Sequence, residues 1–306
     1  MPYAQQHYPF EHSKAFHAGF PAQFIAEGLD QTRGWFYTLT VVSVALFDKP
    51  AFKNAIVSGI VMAEDGKKMS KRLKNYTPPD ALMDTYGADA LRLYLISGPL
   101  VKAQEQRFSD QGVKEMVRQV LLPWYNAVKF FTTYADVDGW TQAQPGVTYN
   151  TLDRWLLSRL QTFKAQIDQA MSQYTVYQVV PELLRYLEDL TNTYIRLNRV
   201  RFWAQGCDED KCTAYSVLYQ VLREMTACMA PFAPFAAETL YQLLKPYGDD
   251  SALDSVHLCD YPQADQTQVD SLLESAVVRL QHILVLGRQC RTEAHIKTKV
   301  PLRALK

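Results

Sequence analysis

Apolar and polar positions follow two different patterns along the chain, and the change falls near residue 150. Upstream, short apolar runs at 23–26 and 52–62 predict strands, each followed by a polar turn that contains glycine. The nearly continuous apolar run at 36–47 predicts a helix that is buried on most sides. Strand, polar turn and helix form the βα arrangement that places ligand-binding groups at the carboxyl edge of a parallel sheet.

Downstream, apolar residues recur at the spacing of helices. Leu156, Leu160, Phe163, Ile167 and Met171 are separated by four, three, four and four positions, which predicts one amphipathic helix. Similar stripes predict further helices, and helices with short connections pack as a bundle. Residues 135–150 are polar, contain two glycines and a proline, and show no period, as expected of a linker. We predict an α/β part at 1–110, a connecting helical part at 111–149 and an all-α bundle at 150–306.

Composition narrows the class of protein. With 48% hydrophobic and 21% charged residues the chain is typical of globular proteins, and no apolar run reaches the length of a membrane span. The 32 basic and 32 acidic residues cancel, so contact with RNA would depend on local patches. The odd number of cysteines, five, argues against a disulfide framework. Cys207 and Cys212 lie close in sequence, but two cysteines do not supply the four ligands of a structural zinc site. We therefore expect a cytoplasmic location, no membrane association and no zinc. The first twenty residues predict irregular structure, and their abrupt start predicts a fragment of a longer protein.

A polar loop at 63–74, with the sequence AEDGKKMSKRLK, carries five basic residues within eight positions. Gly66 allows the backbone to bend sharply, and so dense a positive cluster is stable where it faces an anion such as polyphosphate. The alternative is a solvated surface turn, which is common for short charge clusters. The basic residues are Lys67, Lys68, Lys71, Arg72 and Lys74.

A second polar segment follows the first predicted strand. Its carboxylates, Glu27 and Asp30, can accept hydrogen bonds from ribose hydroxyls or an ammonium group, and Gln31 can both donate and accept. Gly28 lets a ligand approach the backbone. The alternative is that these side chains cap the next helix and that Trp35 belongs to the core.

Several motifs resemble those of one family. Residues 68–72, KMSKR, resemble the KMSKS-type loop of class I aminoacyl-tRNA synthetases, and residues 27–39, EGLDQTRGWFYTL, resemble the adenylate-binding segment of isoleucyl-tRNA synthetases. Residues 87–92, GADALR, are similar to the helix after that loop, which we interpret as scaffold. Residues 153–155, DRW, resemble the start of the anticodon-binding domain, although an N-cap with a packed tryptophan also explains them. The resemblance implies the second half of a Rossmann-like catalytic core followed by an anticodon-binding α-helix bundle.

The resemblance also implies roles for individual residues. Lys68 and Lys71 would stabilise the negative charge that builds up on the departing phosphates. In the same ATP-binding loop, Ser70 would donate a hydrogen bond, Met69 would pack inward, and Arg72 would complete the signature. The residues implied to hold isoleucyl-adenylate are Glu27, Gly28, Asp30 and Gln31, with Trp35 lining the pocket for the isoleucine side chain.

The implied reaction joins isoleucine to tRNA(Ile) through isoleucyl-adenylate and uses ATP accompanied by Mg²⁺; we expect a monomer. The family's His-Ile-Gly-His-type motif does not occur in the sequence, and no editing domain is inserted. Editing is needed because one methylene separates isoleucine from valine by only about 1–3 kcal/mol. We therefore expect the 306-residue chain alone to be inactive.

One helix of the bundle combines arginines with aromatic residues, which suits contact with phosphates and bases. The alternative is that these arginines pair with nearby acids such as Glu182, Glu188 and Asp189. The candidate tRNA-contacting residues are Arg196, Arg199 and Arg201.

Three other functions remain open. The chain could belong to a valyl- or leucyl-tRNA synthetase, although residues 27–35 favour isoleucine. It could be a non-catalytic tRNA-binding module derived from a synthetase. It could also be an unrelated helical protein with a fortuitous lysine loop.

Overall fold

The computed structural model describes residues 2–70, 72–142, 149–249, 253–297 and 299–302. These fall into two compact units, each assembled from segments that are distant in sequence. The first unit holds Met1–Leu122, Ile167–Leu184 and Pro231–Ala236, and the second holds Pro123–Gln166, Arg185–Ala230 and Ala237–Lys306. The domains predicted from the linker are consecutive stretches of the chain, whereas each unit combines separate stretches. The predicted domain boundaries therefore stay a prediction.

In the part of the first unit that the structure describes, four strands form two small parallel sheets of two strands each. Strands β1 and β2 pair with Ala22 beside Phe52 and Gly28 beside Ser58, which confirms the predicted βα arrangement. Strands β3 and β4 pair with Val61 beside Gln106. The strands are β1 (Ala22–Gly28), β2 (Phe52–Ser58), β3 (Val61–Met62) and β4 (Gln106–Arg107).

Among the described residues, six α-helices lie wholly in the first unit. The segment predicted to be irregular forms two of them, because Tyr3 and Phe16 are buried and both pack their rings near Phe47. That contact is tertiary, so no local periodicity reports it. The helices are α1 (Pro2–Gln5), α2 (Ser13–Gly19), α3 (Trp35–Phe47), α4 (Pro79–Tyr86), α5 (Ala88–Ser97) and α6 (Asp110–Met116).

Helix α3 differs from its prediction in burial. Phe36 and Leu39 are buried, but Tyr37 is 62% exposed and Leu46 is 61% exposed. Only one face of α3 packs against the residues that the structure describes, so the expectation of burial on most sides was wrong.

The remaining α-helices lie mainly in the second unit, and four of them also have residues in the first. Four of the five residues of the predicted stripe, from Leu156 to Ile167, are fully buried, whereas Met171 is 41% exposed. Helix α6 passes into α7, and α9 into α10, through π-helical turns. The helices are α7 (Leu122–Asp138), α8 (Thr151–Ser172), α9 (Val179–Glu188), α10 (Arg196–Trp203), α11 (Glu209–Met229), α12 (Pro234–Leu244) and α13 (Ser271–Glu293).

No helix within the described ranges is both long enough and apolar enough to cross a bilayer.

Candidate functional site

The acidic turn directly follows β1, at the edge where β1 and β2 both end, and the lysine loop directly follows β3, a few residues beyond the end of β2. Gly28 ends β1 beside Ser58, which ends β2, and the strands are parallel. The lysine loop begins five residues after Ser58, which limits its start to within about 18 Å of that strand end. Gly59 is required on the way, because a Cβ there would lie 1.8 Å from the carbonyl oxygen of Gln104. The fold therefore brings the acidic turn and the lysine loop toward one edge.

In the acidic turn, the side-chain amide of Gln31 caps the start of α3, and the carboxylates of Glu27 and Asp30 do not. The Trp35 N–H donates to Gln31 Oε1 at 2.8 Å, which satisfies one free donor at the start of α3. Gln31 Nε2 donates to Asp30 Oδ2 at 3.3 Å. The Glu27 side chain is exposed and forms no ion pair or hydrogen bond with any described group. The carboxylates of Glu27 and Asp30 are thus open to a ligand.

Gly28 has a steric reason to be glycine. A Cβ at this position would lie 2.6 Å from Asp30 Oδ1, so a larger residue would displace the carboxylate from the strand end. Trp35, at the start of α3, is 39% exposed, so it does not belong to the described core. Its predicted role in an amino-acid pocket stays a prediction.

The lysine loop opens with a tight turn. The Gly66 N–H donates to the carbonyl of Ala63 at 2.9 Å, and Gly66 takes a φ of 79°, a left-handed conformation that favours glycine. The Ala63 N–H donates to the carbonyl of Lys67 at 2.8 Å, and Lys68 forms an antiparallel bridge with Met62. This turn fixes the backbone position of Lys68, at which the KMSKR segment begins.

Asn75 holds the far end of the loop, a role that sequence reasoning missed. Its Oδ1 accepts from the Ser70 N–H at 2.9 Å, and its Nδ2 donates to the carbonyl of Lys68 at 3.2 Å. In the sequence, this role was indicated only by a polar amide side chain three residues after the KMSKR segment. The side chain of Met69 packs inward, as predicted, against a buried cluster of Leu82, Ala90, Phe108 and Val113.

The cations of the loop differ in their partners. Lys67 pairs with Asp65 at 3.5 Å. Lys68 and Arg72 are exposed, and no acid of the described chain lies within salt-bridge distance of either. Lys71, the second predicted catalytic lysine, lies outside the described residues. Lys74 is also exposed and has no salt bridge within the described chain, so three described cations remain available to an anion: Lys68, Arg72 and Lys74.

A polar cavity of about 360 Å³ adjoins the end of the loop. Glu64, Asp110 and Lys74 line it, and Thr77 donates to Asp110 Oδ2 at 2.6 Å. With two carboxylates and one lysine the lining has a net negative charge, which does not favour a phosphate group.

Helix α5, which the sequence indicated as scaffold, holds the segment before α12. Asp89 is 4% exposed, and its Oδ2 accepts from the Ala236 N–H at 2.6 Å in the first turn of α12. Arg92 donates to the carbonyls of Pro231 at 3.0 Å and Phe232 at 3.2 Å. Burial raises the pKa of Asp89, and hydrogen bonds from the α12 backbone partly offset that effect. Asp89 thus caps α12, a contact between residues far apart in the sequence.

Among the candidate RNA-contacting arginines, Arg201 lies in an internal ion-pair network. It makes a bidentate contact with Asp153, at 2.9 and 3.1 Å, and further hydrogen bonds with Asp210. Asp153 is fully buried and also accepts from the Tyr194 hydroxyl at 2.7 Å. Burial of the guanidinium would lower the pKa of Arg201, but its carboxylate partners outweigh burial and raise it. The structure favours the ion-pair interpretation for Arg201, although with partners other than the three acids expected.

Two of the candidate arginines remain free. Arg196 and Arg199 are exposed on α10, and no described carboxylate pairs with them. On the same helix, Val200 is 78% exposed and Trp203 is 57% exposed.

The segment that resembles the start of the anticodon-binding domain forms a helix cap. The Asp153 backbone N–H donates to Asn150 Oδ1 at 2.9 Å, and the Asn150 N–H donates to Asp153 Oδ2 at 3.0 Å. Residues 150–155 therefore cap α8, and Trp155 is buried.

Comparison with known families defines the class of protein. The chain belongs to the family described as "Anticodon-binding domain of tRNA ligase", whose model matches residues 153–306. Residues 1–107 match a second model, "tRNA synthetases class I (I, L, M and V)". The two matches follow one another in the order that the sequence motifs predicted.

Two curated relatives with the same name align with nearly the whole chain. The chain is 50% identical over 305 residues to the "Isoleucine--tRNA ligase" of Chlamydia abortus, and 49% identical over 307 residues to that of Bdellovibrio bacteriovorus. These alignments cover 99% and 100% of this chain but 29% of each relative. The chain therefore spans less than a third of the curated relatives that it matches.

Solved structures share the fold at low identity. A leucyl-tRNA synthetase of Agrobacterium radiobacter K84, in a ternary complex with tRNA and LeuAMS, aligns with a TM-score of 0.65 and 18% identity, over 88% of this chain and 33% of that one. A Mycobacterium tuberculosis methionyl-tRNA synthetase in complex with methionyl-adenylate aligns with a TM-score of 0.61 and 18% identity, over 79% of this chain and 47% of that one. These likenesses confirm the predicted fold class.

Proposed function

We propose that the chain acts as part of an isoleucine--tRNA ligase, which activates isoleucine with ATP and transfers it to tRNA(Ile). One observation carries the proposal: an acidic turn with exposed carboxylates follows β1, and a loop with exposed cations begins five residues after the neighbouring end of the parallel strand β2. Such an edge is where open α/β sheets bind their ligands. The similarity to isoleucine--tRNA ligases supports the choice of amino acid.

The lysine loop supplies the chemistry of the leaving group. When the isoleucine carboxylate attacks the α-phosphorus, negative charge grows on the departing pyrophosphate. Cations held in place before the reaction stabilise this charge without reorganisation in the transition state. We assign this role to Lys68 and Lys71. Arg72 and the Ser70 hydroxyl complete the ATP-binding loop, and Asn75 and Met69 fix its ends.

The acidic turn supplies the complementary contacts. Glu27 and Asp30 offer carboxylate oxygens to the ammonium group of isoleucine and to ribose hydroxyls, while Gln31 orients Asp30 and Gly28 makes room for it. We place Trp35 beside the aliphatic side chain of the substrate.

Magnesium enters this proposal with ATP. In the described part of the chain, no group of three or more His, Cys, Asp or Glu residues could hold a metal ion. The residues of the loop suit phosphates and not a divalent cation, so Mg²⁺ would be held chiefly by the phosphates of ATP, whose charge it would neutralise. The proposal includes no zinc within these residues.

Arg196 and Arg199 are our candidates for contact with tRNA. Exposed guanidinium groups beside Trp203 suit phosphate contact and base stacking. We further propose a cytoplasmic monomer, as expected for a protein that binds tRNA and ATP. The 306-residue chain, in which the His-Ile-Gly-His-type motif does not occur, should form no adenylate by itself.

The test uses isoleucine-dependent ATP–pyrophosphate exchange by the complete synthetase that includes these residues. Lys68→Ala should lower the exchange rate by about 10²–10³-fold, the usual cost of removing one preorganised transition-state donor. Lys67→Ala is the matched control, because Lys67 lies in the same loop but pairs with Asp65. Equal effects of the two substitutions, or rapid exchange by the 306-residue chain alone, would overturn the assignment.

A second assay separates the alternatives within the class. Exchange that depends on valine or leucine in preference to isoleucine would replace the isoleucine assignment. Binding of tRNA with no exchange by the complete protein would favour a non-catalytic tRNA-binding module.

A further inference from the structure

Cys207 and Cys212 occupy the two facing positions at the start of α11. The Lys211 N–H donates to Asp208 Oδ1 at 2.9 Å, which makes Asp208 the N-cap of the helix. The residue before an N-cap packs against the fourth residue after it, a contact usually made by two apolar side chains. Here both positions are cysteines, and Cys212 Sγ lies 3.8 Å from the carbonyl oxygen of Cys207.

The surroundings of the pair keep the Cys207 thiol protonated at neutral pH. Burial, contact with the Cys212 thiol and the negative charge of Asp138 raise the pKa of Cys207 to about 12. Asp138 is held by Lys211, which also donates to the carbonyl of Ala204 at 2.7 Å and so fixes the turn before the helix. Cys207 as a residue is nevertheless exposed, so small oxidants can reach it.

A metal site does not account for this arrangement. Two thiols alone cannot close a zinc site, and the described chain offers them no third ligand among its His, Cys, Asp and Glu residues. Two facing thiols are instead the arrangement that permits direct coupling to a disulfide.

We propose that Cys207 and Cys212 form a redox-modification site, at which a hydroperoxide converts the dithiol into an intramolecular disulfide. One thiolate attacks the peroxide, the O–O bond breaks, water or an alcohol leaves, and a sulfenic acid forms. The second thiol then displaces the sulfenic hydroxyl as water, and the S–S bond forms. Two electrons and two hydrogens pass from the sulfurs to the peroxide, and a dithiol reductant reverses the step.

The disulfide would act on the helix that carries the exposed arginines. Asp210 lies between the two cysteines in sequence and hydrogen-bonds Arg201 near the end of α10. A covalent bond across the first turn of α11 therefore fixes the carboxylate that holds α10. The inference does not depend on the proposed function, because it concerns only these thiols and their neighbours.

The sequence provides a direct assay, since Lys211 lies between the two cysteines and trypsin cleaves after it. We expect the folded 306-residue chain, treated with hydrogen peroxide, alkylated and then digested without reduction, to yield peptides 202–211 and 212–223 as one linked species. Reduction should separate them. Because the raised pKa of Cys207 makes its thiolate scarce, linking should speed up from about pH 7 to about pH 9.

Two variants serve as controls. Cys290→Ser removes an exposed cysteine on α13 and should leave the linked species unchanged, whereas Cys212→Ser should abolish it and leave Cys207 singly oxidised. Recovery of 202–211 and 212–223 as separate peptides after oxidation of the wild-type chain would overturn the proposal. So would linkage of either cysteine to Cys290, because the two thiols would then not be each other's nearest partners.

Discussion

Replacing Arg201 with alanine removes the cation that faces a fully buried carboxylate. Asp153 would keep the Tyr194 hydroxyl and the Asn150 N–H as donors but lose both bonds of its bidentate ion pair. Breaking a buried pair by removing one partner costs about 3–5 kcal/mol. At about 2–4 °C per kcal/mol, the melting temperature should fall by roughly 6–20 °C.

The assay is thermal unfolding of the 306-residue chain, followed by circular dichroism. Arg199→Ala is the matched control, because Arg199 lies on the same helix but is exposed and unpaired in the described structure, so its stability should change by no more than about 0.5 kcal/mol. Binding of tRNA(Ile) should show the opposite order: Arg199→Ala should weaken it and reduce its salt dependence by about one unit of log–log slope.

The reasoning fails if Arg201→Ala melts within a degree or two of Arg199→Ala. It also fails if Arg201→Asp retains stability, since that charge reversal places a second carboxylate against Asp153. In either case Arg201 would return to the candidates for contact with tRNA.

Three further predictions concern other parts of the chain. Asn75→Ala should lower pyrophosphate exchange by about tenfold in the complete synthetase, because it releases the lysine loop. The melting temperature should stay within about 4 °C, because the net cost is about that of one hydrogen bond. Asp89→Ala should destabilise the chain by about 1–2 kcal/mol through loss of the α12 cap. Because burial raises the pKa of Asp89, its contribution to stability should fall as pH rises through that pKa, and Asp89→Asn should remove this dependence in urea unfolding. Alkylation of Cys207 by iodoacetamide should still be accelerating at about pH 10, where a thiol with an ordinary pKa levels off.

Local patterns predicted what depends on local interactions. Short apolar runs located β1 and β2, and the stripe from Leu156 to Ile167 located α8. The resemblance of residues 27–39 and 68–72 to synthetase motifs indicated both halves of the candidate site, which follow β1 and β3 in the structure. The position of each element along the chain is set by neighbours within a few positions.

Features that depend on distant partners were missed. Helices α1 and α2 form where Tyr3 and Phe16 meet Phe47, which lies more than thirty positions away in sequence. Arg201 pairs with Asp153, and no periodicity distinguishes that acid from nearer ones such as Asp189. The capping of α12 by Asp89 joins residues 147 positions apart.

The central claim is that the acidic turn and the lysine loop hold one adenylate between them. Hydrogen–deuterium exchange of the complete synthetase, with and without a non-hydrolysable isoleucyl-adenylate analogue, tests this claim most directly. The account predicts that the analogue slows exchange of peptides covering 27–35 and 67–75 together, at the same half-saturating concentration. Protection of only one segment, or of neither at saturation, would contradict it.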